Sequence, residues 1–371
     1  MRTSKRFTSL AAVAALGLLA VACGSDSKSE TTTAPAASAG ATTPGTEATG
    51  TTPSGTDATG TAAAGSSDIT AGVAFDTGGR GDGTFNDSAG RGLDQAVSEL
   101  GVKKIELEAT KDEDRKTNLE LLAQQKANPV IAVGFAFTDP LTAVAAANPD
   151  TTFAIVDSVV DAPNVRSLVF AEHEGSFLVG AAAALKSKTG HIGFIGGQEI
   201  DLIKKFEAGY IAGAKAVNPD IKIDSKYLGP AGDNSAWGNV AGAKEIAKGW
   251  YDAGADVIYS AAGGSGAGTI QAAVEANAWA IGVDSDQYLL AKPDEQKHIL
   301  TSMLKHVDVS VFQTIKAVAD GDTKGGIITF DLKSDGVGYS TSGGFLDDVK
   351  DKLDAYKADI ISGKIVVPTK P

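Results

Sequence analysis

Short apolar runs alternate with longer segments of helical spacing over most of the chain. Eleven runs rich in β-branched and aromatic residues predict strands at 69–75, 104–107, 130–135, 153–156, 165–170, 191–195, 221–227, 257–260, 279–283, 299–303 and 327–330. Between most of them, apolar residues recur three and four positions apart, as Leu93, Val97 and Leu100 do within 88–100. This spacing predicts amphipathic helices between the strands.

Strands that alternate with helices predict an α/β fold, in which parallel sheets are covered by helices on both faces. Eleven strands spread over roughly 300 residues exceed one domain of ordinary size. The pattern therefore predicts two α/β lobes.

The N-terminal residues have a different pattern. Arg2, Lys5 and Arg6 precede an uncharged apolar run at 7–22, which is shorter than the roughly 20 residues of a membrane span. Residues 1–22 therefore indicate a secretory signal peptide. Cys23 follows directly and resembles the lipid-modified cysteine of a bacterial lipobox, although the position three residues earlier is Ala rather than the usual Leu.

Residues 23–67 form a low-complexity segment after this signal. Beyond Cys23 they are almost all Thr, Ala, Gly, Ser and Pro, and 42–50 is imperfectly repeated at 51–60. Such a segment buries too little apolar surface to offset its chain entropy. We expect a disordered tether that holds a globular head away from the membrane to which a lipidated Cys23 is anchored.

Composition excludes several classes of protein. The chain of 371 residues has a net charge of −13, and loss of the three basic signal residues makes it −16. A nucleic-acid or anionic-membrane partner is therefore not expected for the globular part. The single cysteine excludes an intramolecular disulfide and any paired-cysteine metal or redox site.

Charged residues follow several predicted strands. Asp76, Asp157, Asp284 and Lys305 come at or just after the ends of the first, fourth, ninth and tenth strands. Ligands of open α/β folds bind beyond the carboxyl ends of parallel strands, so these side chains are expected to converge on one cleft.

Motifs of common enzymes are not matched. The glycine-rich stretch at 261–268 follows a strand, but it has neither dinucleotide-binding spacing nor a phosphate-binding lysine. It also lacks the nucleophile elbow because Ala267 replaces its last glycine. The four histidines have no zinc-protease spacing. The sequence therefore predicts no catalysis, no cofactor and no metal, and a tight turn at Gly263 whose backbone can approach a ligand.

Six ordered motifs resemble the basic membrane protein family of lipoprotein substrate-binding proteins, which includes bacterial purine nucleoside receptors of ABC transporters. They are DTGGRGDGTFNDSAGRG at 76–92, EHEGSFLVG at 172–180, IGFIGGQEIDLIKKFEAGYIAG at 192–213, AAGGSGAG at 261–268, IGVDSDQ at 281–287 and LTSMLKHVD at 300–308. The resemblance implies a type I periplasmic-binding-protein fold with two Rossmann-like lobes, three crossover strands and a ligand between the lobes.

The resemblance, together with the turn at Gly263, gives eight candidate ligand-binding residues. They are Asp76, Phe85, Asn86, Asp157, Trp237, Gly263, Asp284 and Lys305. By this resemblance Asp157 contacts the base, whereas Asp284 and Lys305 contact ribose. Trp237 is the candidate for the aromatic residue that the second lobe contributes to base stacking.

The chemistry of these residues suits an uncharged nucleoside. Stacking on an aromatic ring contributes about 1–3 kcal/mol per base, and one carboxylate can accept both hydroxyls of a ribose diol. Lys305 and Arg80 are the cations expected near the site, which leaves little charge to neutralise a phosphate.

The resulting hypothesis is a monomeric, lipid-anchored receptor on the outer face of the cell membrane that delivers a nucleoside to an ABC permease and its ATPase. The alternatives are a receptor for riboflavin, a sugar or another small solute, a ligand-sensing surface lipoprotein, and a nucleoside hydrolase. We expect a first lobe of 68–171 plus 284–322 and a second lobe of 172–283 plus 323–371.

Overall fold

The computed structural model describes residues 68–371, so the predicted signal peptide, Cys23 and the tether lie outside the described residues. The strands are β1 (Thr70–Phe75), β2 (Lys103–Glu108), β3 (Val130–Val133), β4 (Phe153–Val156), β5 (Val165–Phe170), β6 (His191–Glu199), β7 (Lys222–Pro230), β8 (Val257–Ala261), β9 (Trp279–Asp284), β10 (Ile299–Lys305), β11 (Gly326–Phe330) and β12 (Val337–Tyr339). The helices are α1 (Phe85–Leu100), α2 (Asp112–Gln124), α3 (Thr138–Ala147), α4 (Glu172–Lys186), α5 (Asp201–Val217), α6 (Val240–Asp252), α7 (Gly266–Ala276), α8 (Gln287–Leu290), α9 (Pro293–Gln296), α10 (Val307–Ala319) and α11 (Lys350–Ile361). None of the helices in this part of the chain is both long and apolar enough to cross a membrane.

The strands form two six-stranded sheets, as the alternating pattern predicts. The first sheet has the order β11-β5-β4-β3-β1-β2, and the second has the order β12-β10-β9-β8-β6-β7. Pairing is parallel throughout except at β12, which runs antiparallel to β10. The prediction of two α/β lobes is confirmed. It missed β12 because three residues are too short for a recognisable apolar run.

The central and edge strands of the first sheet differ in how deeply their residues are buried. Every residue of β3 and β4 is buried, so these strands are continuous apolar runs covered on both faces. The edge strand β2, with the sequence KKIELE, has exposed or half-buried residues at every position. Its charges discourage pairing with another chain.

The chain passes between the two sheets three times: from β5 to α4, from β10 to α10, and from β11 to β12. The first two crossovers span a single residue each, Ala171 and His306. Backbone hydrogen bonds join the crossovers to one another, from Ala171 N to Phe330 O at 2.9 Å and from His306 N to Gly336 O at 3.0 Å. The three connections therefore form one bonded strip.

The predicted lobe boundaries are wrong in two places. Residues 284–322 were expected in the first lobe, but β10 pairs with β9 in the second sheet. Residues 323–371 were expected in the second lobe, but β11 pairs with β5 in the first sheet. The observed lobes comprise 68–171 with 307–330, and 172–305 with 332–371. Local sequence shows that a run is a strand but does not show which sheet it joins, and this caused the error.

Helices within each lobe approach one another through glycine. A Cβ at Gly213 on α5 would lie 1.9 Å from the carbonyl oxygen of Phe177 on α4. A Cβ at Gly92 on α1 would lie 2.2 Å from the carbonyl oxygen of Asp308 on α10. Both contacts are backbone against backbone, so no side-chain adjustment would relieve a larger residue.

We expect Gly213→Ala to destabilise the protein by about 1–3 kcal/mol, because the added methyl group overpacks the contact between α4 and α5. Gly249→Ala on α6 is the matched control, since nothing lies within 4 Å of its Cβ position. The control should gain roughly 0.5–1 kcal/mol from the better helix propensity of alanine. Chemical denaturation measures both changes, and equal stability of the two variants would contradict the packing argument.

Candidate ligand-binding site between the lobes

A cavity of about 410 Å³ lies between the two lobes, a size that suits a small-molecule ligand. The structure brings all eight predicted residues to its wall: Asp76, Phe85, Asn86, Asp157, Trp237, Gly263, Asp284 and Lys305. They arrive from both lobes because the carboxyl ends of both parallel sheets face this space.

Lys305, at the end of β10, is the centre of a buried charge cluster. Its side chain is 2 % exposed, and its Nζ lies 2.6 Å from Asp157 Oδ1 and 3.3 Å from Glu172 Oε1. Burial alone would lower the pKa of Lys305, but the carboxylates of Asp157, Glu172 and Asp284 outweigh burial and raise it. The ammonium is therefore charged at any physiological pH.

Three phenylalanine rings surround the same ammonium. The Lys305 Nζ lies 5.4 Å from the ring centroid of Phe85, 5.0 Å from that of Phe170 and 5.5 Å from that of Phe206. These are cation–π distances. Phe206 also lines the cavity, and sequence reasoning missed it because nothing local shows which face of α5 turns toward the cleft.

Asp284, at the end of β9, is a buried carboxylate without a partner. The residue is 9 % exposed and lines the cavity. Within residues 68–371 its side chain neither accepts a hydrogen bond nor forms a salt bridge. Burial raises the pKa of Asp284 to about 7, against the opposing effect of Lys305. Its backbone is left-handed, with φ of 63°, as is that of Asp157, with φ of 68°. Such strained positions often occur at functional sites.

Asp76, after β1, is held by an arginine that sequence reasoning missed. Arg115 on α2 donates from Nε to Asp76 Oδ1 at 2.8 Å, and its side chain is only 5 % exposed. Arg80, the arginine expected near the site, instead pairs with Asp94 at 2.8 Å and Glu106 at 2.7 Å and is not part of the wall. That expectation is therefore wrong, because Arg80 serves to fix its own loop.

The loop before α1 is organised by Asp82, which also lines the cavity. Its carboxylate accepts backbone N–H groups of Thr84, Asn86 and Asp87 at 2.8–3.1 Å. The Asn86 amide donates to Asp82 at 3.1 Å, whereas Asn86 Oδ1 is buried without a partner among the described residues. Asn86, a residue of the cavity wall, therefore keeps one acceptor atom without a partner.

Trp237 enters the cavity from a short 3₁₀ helix, Asn234–Trp237, in the second lobe. Its ring packs against Gly197 on β6, where a Cβ would lie 2.1 Å from the ring. The backbone turns at Gly263, which has a φ of 55° and lies next to Trp237. The ring also meets Phe135 of the first lobe edge to face, with centroids 6.3 Å apart. Phe135 was missed because the apolar run of β3 continues into it without a polar signal.

Two lobes, three crossovers and, between the lobes, a cavity lined by aromatic rings and carboxylates define a solute-binding protein of the type I periplasmic class. The chain belongs to the Bmp family, described as ABC transporter substrate-binding protein PnrA-like, whose family model matches residues 69–370. The resemblance seen in the six motifs is confirmed. Proteins of this class bind substrates and are not enzymes.

Individual relatives agree with this assignment. The chain is 38% identical over 323 residues to the ABC transporter nucleoside-binding protein BmpA of Lactococcus lactis subsp. cremoris, covering 82% of this chain and 90% of that protein. It is 33% identical to basic membrane protein A1 of Borrelia garinii subsp. bavariensis, covering 77% and 85%. A solved ABC transporter solute-binding protein from Aeropyrum pernix superposes with a TM-score of 0.70 at 29% identity, covering 81% and 94%.

The raised pKa of Asp284 predicts a pH-dependent cost of folding. The folded protein keeps a proton up to about pH 7 that the unfolded chain releases near the ordinary carboxyl pKa, so the free energy of unfolding falls as pH rises across this window. Asp284→Asn should remove this dependence and stabilise the ligand-free protein at pH 8 by up to about 4 kcal/mol. The gain should shrink toward pH 4.

Urea denaturation between pH 4 and pH 8 measures this effect. Asp150→Asn is the control, because Asp150 is an exposed residue remote from the cavity wall. A constant difference between Asp284→Asn and the native protein across this range would contradict the assignment of a buried, titrating carboxyl group.

Proposed function

We propose that this protein captures an uncharged nucleoside, with a purine base, and delivers it to an ABC importer. The observation that carries the proposal is the unpaired, buried carboxylate of Asp284 in a cavity that also exposes aromatic rings from both lobes. A relative with 38% identity is named as a nucleoside-binding protein, which supports the same ligand class.

The sugar is assigned to the end of the cavity formed by Asp284 and Lys305. A ribose diol presents two adjacent O–H donors, and an ionised Asp284 can accept both as charge-assisted hydrogen bonds. The ammonium of Lys305 can donate to a ribose oxygen while it remains paired with Asp157. Ligand binding would thus provide the hydrogen bonds that Asp284 lacks in the protein.

The base is assigned to the space between the aromatic residues of the two lobes. Phe85 comes from α1 in the first lobe and Trp237 from the second, and both line the cavity. A flat purine can stack on such rings, while Asn86 Oδ1 and the carboxylate of Asp157 can accept its N–H groups.

Selection against phosphates follows from the charge of the wall. Among the described residues, the wall holds four carboxylates (Asp76, Asp82, Asp157 and Asp284) and one ammonium, Lys305. That ammonium already contacts two carboxylates. A phosphate would enter a negatively charged space without a free cation, and the charge would be left unpaired, which is costly.

The cellular part of the proposal rests on sequence. The predicted signal peptide and Cys23 support a lipid-anchored receptor outside the cytoplasm, which we expect to be a monomer. Closure of its lobes would bury the ligand before transfer to a permease. The bound nucleoside is not chemically changed.

The ligand assignment is tested by isothermal titration calorimetry with adenosine, guanosine, inosine, cytidine, riboflavin, free ribose and inosine 5′-monophosphate. We expect purine nucleosides to bind most tightly and the monophosphate to bind about a hundredfold more weakly, because its charge is left unpaired. Tighter binding of riboflavin or ribose would replace the nucleoside assignment with one of the alternatives.

Transport and sensing are separated with the same ligands. A strain lacking this protein should lose uptake of labelled nucleoside, whereas intact uptake with a lost transcriptional response would indicate a sensor. Release of free base from inosine by the purified protein would instead indicate a hydrolase.

The role of Trp237 is tested by a pair of substitutions. Trp237→Leu removes the aromatic face and should weaken nucleoside binding roughly tenfold, whereas Trp237→Phe keeps a ring and should change the Kd only about two- to threefold. Trp279→Leu is the control, since Trp279 packs against Phe345 and is not part of the cavity wall. Equal losses in both Trp237 variants would exclude a stacking role.

A further inference from the structure

One carboxylate oxygen joins the two lobes beside the cavity. Asp112 Oδ1, at the start of α2 in the first lobe, accepts Arg115 Nη1 at 2.7 Å. The same oxygen accepts Asn234 Nδ2 of the second lobe at 2.9 Å. Asn234 is the first residue of the 3₁₀ helix that carries Trp237, and it lines the cavity itself. The hydrogen bond therefore exists only when the lobes are together.

Both ends of this connection are anchored. At one end Arg115 Nε donates to Asp76 Oδ1 on the cavity wall at 2.8 Å. At the other end Asn234 Oδ1 accepts Gln198 Nε2 at 3.1 Å, and Gln198 Oε1 accepts Gly232 N at 2.8 Å. Because its oxygen is occupied by Gln198, the Asn234 amide must turn its N–H donors toward Asp112.

Arg115 is suited to transmit position between the two carboxylates. Its guanidinium lies 5.9 Å from the ring centroid of Phe137 and is almost fully buried. A planar fork that binds one carboxylate through Nε and another through Nη1 couples the orientations of both, which a lysine cannot do. A shift of the Asp112 carboxylate is therefore expected to move the Asp76 carboxylate.

We propose that Arg115 is a positioning residue, and that Asp76, Arg115, Asp112 and Asn234 form a relay that links lobe closure to the carboxylate of Asp76 on the cavity wall. When the lobes close, Asn234 binds Asp112 and fixes the position of its carboxylate. Asp112 then fixes the guanidinium of Arg115, which holds the Asp76 carboxylate toward the cavity. The link to a ligand rests on the proposed function, whereas the closure bond between Asp112 and Asn234 does not.

The test variant is Asp112→Ala in the full chain. Asp112 is 70 % exposed and is absent from the cavity wall, so its removal breaks the relay without emptying the core. Glu113→Ala is the matched control, because it removes the same charge one residue later from an exposed side chain that has no hydrogen bond or ion pair within the described part of the chain.

Two measurements follow. Without ligand, hydrogen–deuterium exchange at 232–238 should be faster in Asp112→Ala than in Glu113→Ala, because the second-lobe segment loses its partner. With inosine in stopped-flow experiments, dissociation should be about fivefold faster, since a charge-assisted hydrogen bond is lost from the closed state, with little change in association.

A double-mutant cycle tests the part played by Arg115. If the relay passes through its fork, Asp112→Ala should accelerate dissociation less in an Arg115→Lys background than in the native protein. Additive effects of the two substitutions would show that Arg115 only packs, and would overturn the proposal.

The remaining outcomes are also decisive. Faster exchange at 232–238 in a protein that binds no nucleoside would support the closure bond and refute the proposed ligand. Unchanged exchange, or a lowered Tm with faster exchange throughout the chain, would overturn the relay.

Discussion

The need to neutralise one buried ammonium shapes the centre of this molecule. The side chain of Lys305 is almost fully buried, and a buried charge is tolerated only when partners compensate its lost hydration. The partners come from different lobes, Asp157 from the end of β4 and Glu172 from the start of α4. Glu172 directly follows one crossover and Lys305 directly precedes another. Pairing this charge therefore brings the hinge, both lobes and the cavity wall together.

The carboxylates around the cavity have different environments although they occupy equivalent positions in the sheets. Asp157 forms a salt bridge with Lys305, and Asp76 accepts a hydrogen bond from Arg115. Asp284 has a charged neighbour but no hydrogen bond within residues 68–371. Of these three carboxylates, Asp284 therefore keeps the most unused acceptor capacity, which a ligand with O–H donors could use.

The sequence predicts the residues that end strands better than those that reach the cavity from helices. Asp76, Asp157, Asp284 and Lys305 were found because parallel strands place their carboxyl ends at one edge. Arg115 and Phe206 lie on helices, where the face turned toward the cleft depends on packing that periodicity does not resolve. The sheet assignment of β10 and β11 failed for a related reason, because a short apolar run fits either sheet. Strand pairing is a long-range property, whereas the apolar pattern is local.

The bonded strip of crossovers also bears on the proposed delivery of a ligand to a permease. Two of the connections are one residue long, and both are tied to the third by backbone hydrogen bonds. We expect such short, bonded connections to permit bending between the lobes more readily than sliding. The main motion expected of the lobes is then hinge bending about one axis. Every loaded molecule would show a transporter the same pair of outer faces at the same angle, so geometry alone would distinguish full receptors from empty ones.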